Sequence, residues 1–362
     1  MKFNNSIISK FNSKRTIKYL ALFLALFLNL NLNTSCEKGT EPDNVLPGRR
    51  DYVWTEDTLY NPPGNVFLTF RHIVGNTADD VWIGTNFSDS PTGLWHYDGF
   101  EWQVVQCPII SNTKTALFLF DDNTLLVGNE YNQIIKRENG VWTEKYELKL
   151  DEYEKIAIFD IYGLSKDNVF AFGVAVNFET SSNPYKQIGI IFHFDGISWN
   201  RVMMPEIAEA CLTVKYNKAS QKYYIYSLGN EIDNYRDILV EFDGSVAKKS
   251  EYTKFGVALS EINGVVYINS DRTVYKLSSD TLSLWKDFSG TEFQTNFVGR
   301  NENDFINRSS RGLGHYNGID YQTIYETDLE LQNYEMIGND IFALGVDYRN
   351  QHFVVIHGKL KD

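Results

Sequence analysis

Three phrases, LWHYDGFEWQVV at Leu94–Val105, IIFHFDGISWNRV at Ile190–Val202 and LGHYNGIDYQTI at Leu313–Ile324, repeat one pattern, and the two chain ends carry complementary pieces of it. With no helical period anywhere, these observations predict an all-β fold. The expected form is a seven-bladed β-propeller of four-stranded antiparallel blades, closed by an N-terminal strand, with six or eight blades as the alternatives.

The glycine ending each phrase serves as a ruler. It falls at Gly99, Gly140, Gly196, Gly244, a Ser279-Asp280 substitute, Gly318 and Gly358, a spacing of roughly 43 residues, the period of a four-stranded blade. A second phrase precedes each glycine: DDVWIG from Asp79, NTLLVG from Asn123, DNVFAFG from Asp167 and NDIFALG from Asn339, with weaker copies in KYYIYSLG, GVVYINS and NDFINRS. Short runs of β-branched and aromatic residues between Gly, Asn and Asp read as strands between hairpins. One repeat is therefore an inner strand such as FRHIVG, a second strand VWIG, a third strand LWHYDG and an outer strand EWQVV. The Asp-Gly or Asn-Gly pair supplies the positive φ that a tight hairpin requires.

The last repeat stops soon after Gly358, without an outer strand, whereas DYVWTED at Asp51–Asp57 has an outer-strand tryptophan and no preceding strands. Pairing the two ends closes the ring and removes long sheet edges. The propeller domain is thus expected over 51–362.

The first 35 residues read as a signal peptide. Lys2, Lys10, Lys14, Arg15 and Lys18 precede the apolar run YLALFLALFL, which is too short to span a bilayer comfortably. Thr34 and Ser35 before Cys36 resemble a bacterial lipobox, with Asn33 where Leu is usual. The resemblance implies acylation of Cys36 and a membrane-anchored protein of the cell envelope, at the bacterial outer membrane on its periplasmic or external side. The alternative is ordinary cleavage with Cys36 incidental. Residues 36–50 then form a lipidated cysteine and flexible tether.

The leader holds five of the 34 basic residues and no acid, so the chain from Cys36 onward has 29 basic against 47 acidic residues, a net charge of −18. That balance argues against nucleic acid as a partner. Cys107 and Cys211 are too few for a disulfide framework and fall in well-separated blades, so two thiols are expected.

The repeats resemble a family of bacterial exported proteins with units of the kind DVWAVG…HYDGTSW, over nearly all of 51–361. That resemblance implies a propeller and no single chemistry.

Candidate sites follow from the repeat. His96, His193 and His315 occupy one slot in three separate blades and cannot converge on one ion, so no metal and no cofactor is expected. Trp54, Trp102, Trp142 and Trp199 share an outer-strand slot suited to packing between blades. Aligning the inner strands on Gly75, Gly163 and Gly299 brings His72, Asp160 and Asn296 to one place facing the central channel, either water-facing or binding a ligand on the axis. After the second strand, Phe87, Tyr131, Phe178, Tyr185, Tyr235 and Tyr348 fall on loops that all emerge on one face. Such a ring of aromatics suits a protein or glycan partner.

HExxH, GxSxG, CxxC and phosphate-loop motifs are absent from the sequence. The favoured reading is a monomeric, lipid-anchored binding or scaffold module. The alternative is a polysaccharide hydrolase or lyase using channel carboxylates such as Asp160.

Overall fold

In the computed structural model, the described residues are 47–59, 69–86, 93–108, 115–178, 185–202, 210–228, 237–251, 257–279, 281–350 and 352–362. Their strands form seven four-stranded antiparallel sheets, and no helix occurs among them. Six blades are built of consecutive strands. The seventh takes three strands from the C-terminus, Glu330–Ile337, Asp340–Asp347 and His352–Leu360, and its outer strand, Tyr52–Leu59, from the N-terminus. Tyr52 pairs with Leu360 and Leu59 with Phe353 across the closure.

The inner strands are Thr69–Thr77, Ala116–Leu119, Lys155–Ser165, Ala210–Asn217, Val257–Ile262, Phe293–Asn301 and Glu330–Ile337. Each contacts the next, and the seventh contacts the first, so the ring is complete. The core is divided among the seams rather than gathered at one centre. The seam of blades 7 and 1 buries Ile73, Ile83, Phe342 and Val355; Trp82, Leu94, Leu117 and Val127 fill the next. Equivalent clusters occupy the other five seams. Burying apolar area between neighbours is what holds one blade to the next, because adjacent sheets share no ladder hydrogen bonds.

Side chains supplement that contact near the axis. Asp160 accepts from Val214 N at 2.9 Å, joining blades 3 and 4, and Ser260 Oγ accepts from Phe297 N at 2.8 Å, joining blades 5 and 6.

The third-to-fourth hairpins explain the repeated phrase. Gly99, Gly196, Gly244 and Gly318 have φ between 89° and 97°, and the preceding Asp or Asn caps the turn. Asp98 Oδ1 accepts from Phe100 N and Glu101 N at 3.0 Å, and Asn317 Oδ1 does the same for Ile319 N and Asp320 N. Blade 2 instead uses a two-residue turn on Asn139 and Gly140, both at positive φ.

Gly358 departs from the expected ruler. It lies inside the strand His352–Leu360, opposite Trp54, in the slot that Tyr97 fills opposite Trp102. A Cβ there would sit 2.4 Å from Trp54 Cζ3, so glycine makes room for the indole rather than a turn. The same register pairs Arg137 with Trp142 and Phe194 with Trp199. Cys107 and Cys211 are buried thiols in two different seams, those of blades 1 and 2 and of blades 3 and 4.

Candidate functional site

Alternating strand direction sends every second-to-third loop, and every connection between blades, to one face. Tyr131, Phe178, Tyr185 and Tyr348 all stand on that face, exposed by 54%, 50%, 46% and 49%. Phe87 and Tyr235 lie outside the described residues. Lys155 Nζ lies 4.7 Å above the Tyr131 ring and Lys186 Nζ 5.2 Å above that of Tyr153, so blades 2 and 3 present rings and cations together. Tyr185 donates its hydroxyl to Gln187. Tyr348 neighbours a cavity of about 390 Å³ lined by Glu56, Asp328, Asp347 and His352 among others. Sequence reasoning missed these pairs because each joins residues far apart in the chain: Lys155, at a strand start, meets Tyr131 of the preceding blade, and Tyr153, in a blade connection, meets Lys186.

The three aligned channel residues do different things. Each sits at or beside a break in inner-strand register, where a bulge re-aims the side chain. Asp160 is only 8% exposed, and its carboxylate is taken by Ile161 N and Val214 N, both at 2.9 Å. It ties two blades together and does not point a carboxylate into open space. His72 Nε2 lies 3.1 Å from Phe159 O of blade 3. Asn296 is exposed, and its carbonyl accepts the Tyr334 hydroxyl.

The charged groups that meet across the axis are others. Lys215, Glu261 and Glu335, on blades 4, 5 and 7, interact electrostatically, Lys215 favouring the charged form of both carboxylates. Burial nevertheless dominates at Glu335 and pushes it up to about 7. Glu261, also raised by burial, accepts from Tyr216 N at 3.2 Å and from the Tyr162 hydroxyl at 3.4 Å. Lys215 and Glu261 belong to blades 4 and 5, whose repeats are weakest in the sequence, and the inner strand of Glu335 is not part of the alignment on Gly75, Gly163 and Gly299.

The blade histidines form a repeated pair with the acid or amide that opens the second strand. His96 Nε2 meets Asp80 Oδ1 at 2.7 Å, His193 meets Asn168 at 2.9 Å, His315 meets Asp304 at 2.8 Å and His357 meets Asp340 at 2.6 Å. Three of the rings also stack on the aromatic beside them: Trp82, Phe170 and Phe342, at 4.1, 4.4 and 4.2 Å. His357 is the fourth member, hidden in the sequence because no hairpin glycine follows it. These pairs lie at the opposite face, under the first-to-second and third-to-fourth hairpins. Among the described residues no group of His, Cys, Asp and Glu is arranged to hold a metal ion.

No family model and no curated protein matches the sequence. Solved structures do match in shape. The β-propeller domain of Cps50 (Swd1) from Myceliophteria thermophila is 11% identical, with a TM-score of 0.55, covering 86% of this chain and 100% of that one. BBS1N, solved in complex with ARL6DN, is 11% identical with a TM-score of 0.54, covering 86% and 98%. An oligogalacturonate lyase in complex with manganese is 9% identical with a TM-score of 0.55, covering 87% and 99%. The chain is a β-propeller. At such identities the likeness is one of fold, and function must be argued from the sites.

Proposed function

We propose that the chain is a lipid-anchored binding module of the cell envelope, exported by a signal peptide over 1–35, anchored through Cys36, and presenting a propeller that holds a protein or glycan on its aromatic face. The observation that carries this reading is the recurrence of half-exposed rings after the second strand in blades 2, 3 and 7, all on one face. A solvated ring is an apolar surface available for stacking, with little side-chain entropy to lose on binding. The lysines over Tyr131 and Tyr153 add polar groups at its edge. A propeller solved with a protein partner, BBS1N with ARL6DN, is consistent with such use of the fold. Binding is preferred over hydrolysis because the Asp160 carboxylate is buried and each of its oxygens is engaged by a backbone amide.

The test is retention on columns carrying membrane-extract protein or envelope glycan. Tyr131→Ala with Tyr185→Ala should lower retention at least about tenfold, the loss of two stacking anchors. Cys36→Ser should move the protein from the membrane to the soluble fraction without changing retention. Unchanged retention in the double variant would contradict the assigned face; membrane association persisting in Cys36→Ser would contradict the anchor.

A further inference from the structure

The chain carries its own example of a peptide seated at a seam. Beside blade 6, at the seam with blade 7, the segment leading into the closing strand lies on the hairpin face. Gly48 N donates to Asn303 O at 3.3 Å and Asn317 O at 3.1 Å. Arg50 donates from Nε to His315 Nδ1 at 3.1 Å and from Nη2 to the carbonyls of His315 and Asp320, at 3.1 and 2.7 Å. Its Nη1 pairs with the Asp320 carboxylate at 2.7 Å. The expected tether is therefore docked from Gly48 onward.

Blade 1 repeats the recipient groups. His96 lies opposite Trp82 as His315 lies opposite Ile306, and both imidazoles donate to the aspartate that opens the second strand. Glu101 follows Gly99 by two residues as Asp320 follows Gly318. Yet above its apolar core, at the hairpin face, the seam of blades 1 and 2 opens into a cavity of about 450 Å³ with Asp79, Asp80, His96, Asp122 and Arg137 in its wall. Arg137 lies over the Trp82 ring at 4.8 Å, and Lys166 pairs with Asp122. Asp79 in the wall, and Asp98 and Glu101 on the blade 1 hairpin that carries the Gly99 turn, have no ion-pair partner among the described residues, so this end of the seam favours a cation. Blade 3 lacks this charge, with Asn168 in the place of Asp80 and Ser198 in that of Glu101.

We propose that the cleft between blades 1 and 2 binds an extended peptide segment carrying an arginine, whose guanidinium takes on His96 and Glu101 the place that Arg50 takes on His315 and Asp320. A guanidinium matches this recipient better than an ammonium, since its planar fork reaches a ring nitrogen, a carbonyl and a carboxylate together. The site is on the opposite face from the aromatic loops and is independent of their role.

The probe is a fluorescein-labelled peptide of sequence PGRRD, copied from Pro47–Asp51, titrated into the full-length protein and read by fluorescence anisotropy. Saturable binding is expected. Glu101→Lys, at an exposed position, should weaken it at least about tenfold with no change in melting temperature. Replacing the second arginine of the peptide with citrulline, which keeps shape and removes charge, should weaken it similarly. Asp320→Lys, which loosens the chain's own arm, should leave peptide affinity unchanged or raise it. Non-saturable binding, indifference to Glu101→Lys, or a loss that follows Asp320→Lys instead would overturn the proposal.

Discussion

Glu335 is a partly buried carboxylate at which desolvation outweighs the attraction of Lys215. Its carboxylate accepts from Met336 N at 3.2 Å and feels Lys215, but desolvation and Glu261 hold it near 7 instead of 4.5. Folded protein therefore binds this proton more tightly than unfolded protein. The resulting stabilisation is fully present below pH 4.5 and is lost as pH rises through about 7. Glu335→Gln, which keeps the acceptor and removes the titration, should be more stable than the parent by about 1–2 kcal/mol at pH 8, with the gap vanishing toward pH 4. Urea unfolding at both pH values checks this; a gap of equal size at both would mean the carboxylate does not titrate on the axis. The sequence alignment instead drew attention to Asp160. Its polarity at an inner-strand slot was legible, but the bulge that turns it onto Val214 N was not.

At the scale of the strand, turn chemistry made the blade readable. Asp98-Gly99 and Asn317-Gly318 announce their hairpins because both a capping oxygen and a positive φ are needed there. Slots filled by unlike residues were not readable. Tyr321 stands opposite Tyr316 where other blades place tryptophan, and Ala247 and Leu282 hold that slot in blades 4 and 5. In blade 5 a different tryptophan, Trp285, packs against Tyr267 at 5.0 Å. Gly358 was counted with the hairpin glycines of the ruler because only the paired register shows Trp54 above it. Trp54 packs 4.8 Å from Tyr325 of blade 6 and 5.4 Å from Tyr52, so one side chain links the closing strand to the preceding blade. Trp54→Ala should destabilise by about 2 kcal/mol, less than a fully buried tryptophan would, measured by denaturant midpoint. A change near zero would place the indole outside the seam.

Over the whole molecule, the seven seams are separate cores in a ring, so each blade is supported on both sides only when the circle is shut. The sequence announced that circle through its ends, since Trp54 without preceding strands and Gly358 without a following strand are two parts of one blade. Clefts between blades were out of reach of sequence reasoning, because they join residues one or several repeats apart, as Arg137 joins Trp82 and Arg50 joins His315.

Closure itself can be measured through Val53 and Lys359, which face each other across the pair of terminal strands and are both exposed. With both changed to cysteine, mild oxidation should form a bridge within one chain, seen as faster migration on a non-reducing gel, and should raise the melting temperature by holding the ring shut. Failure to bridge, or bridging only between molecules, would contradict a propeller closed by its own N-terminal strand.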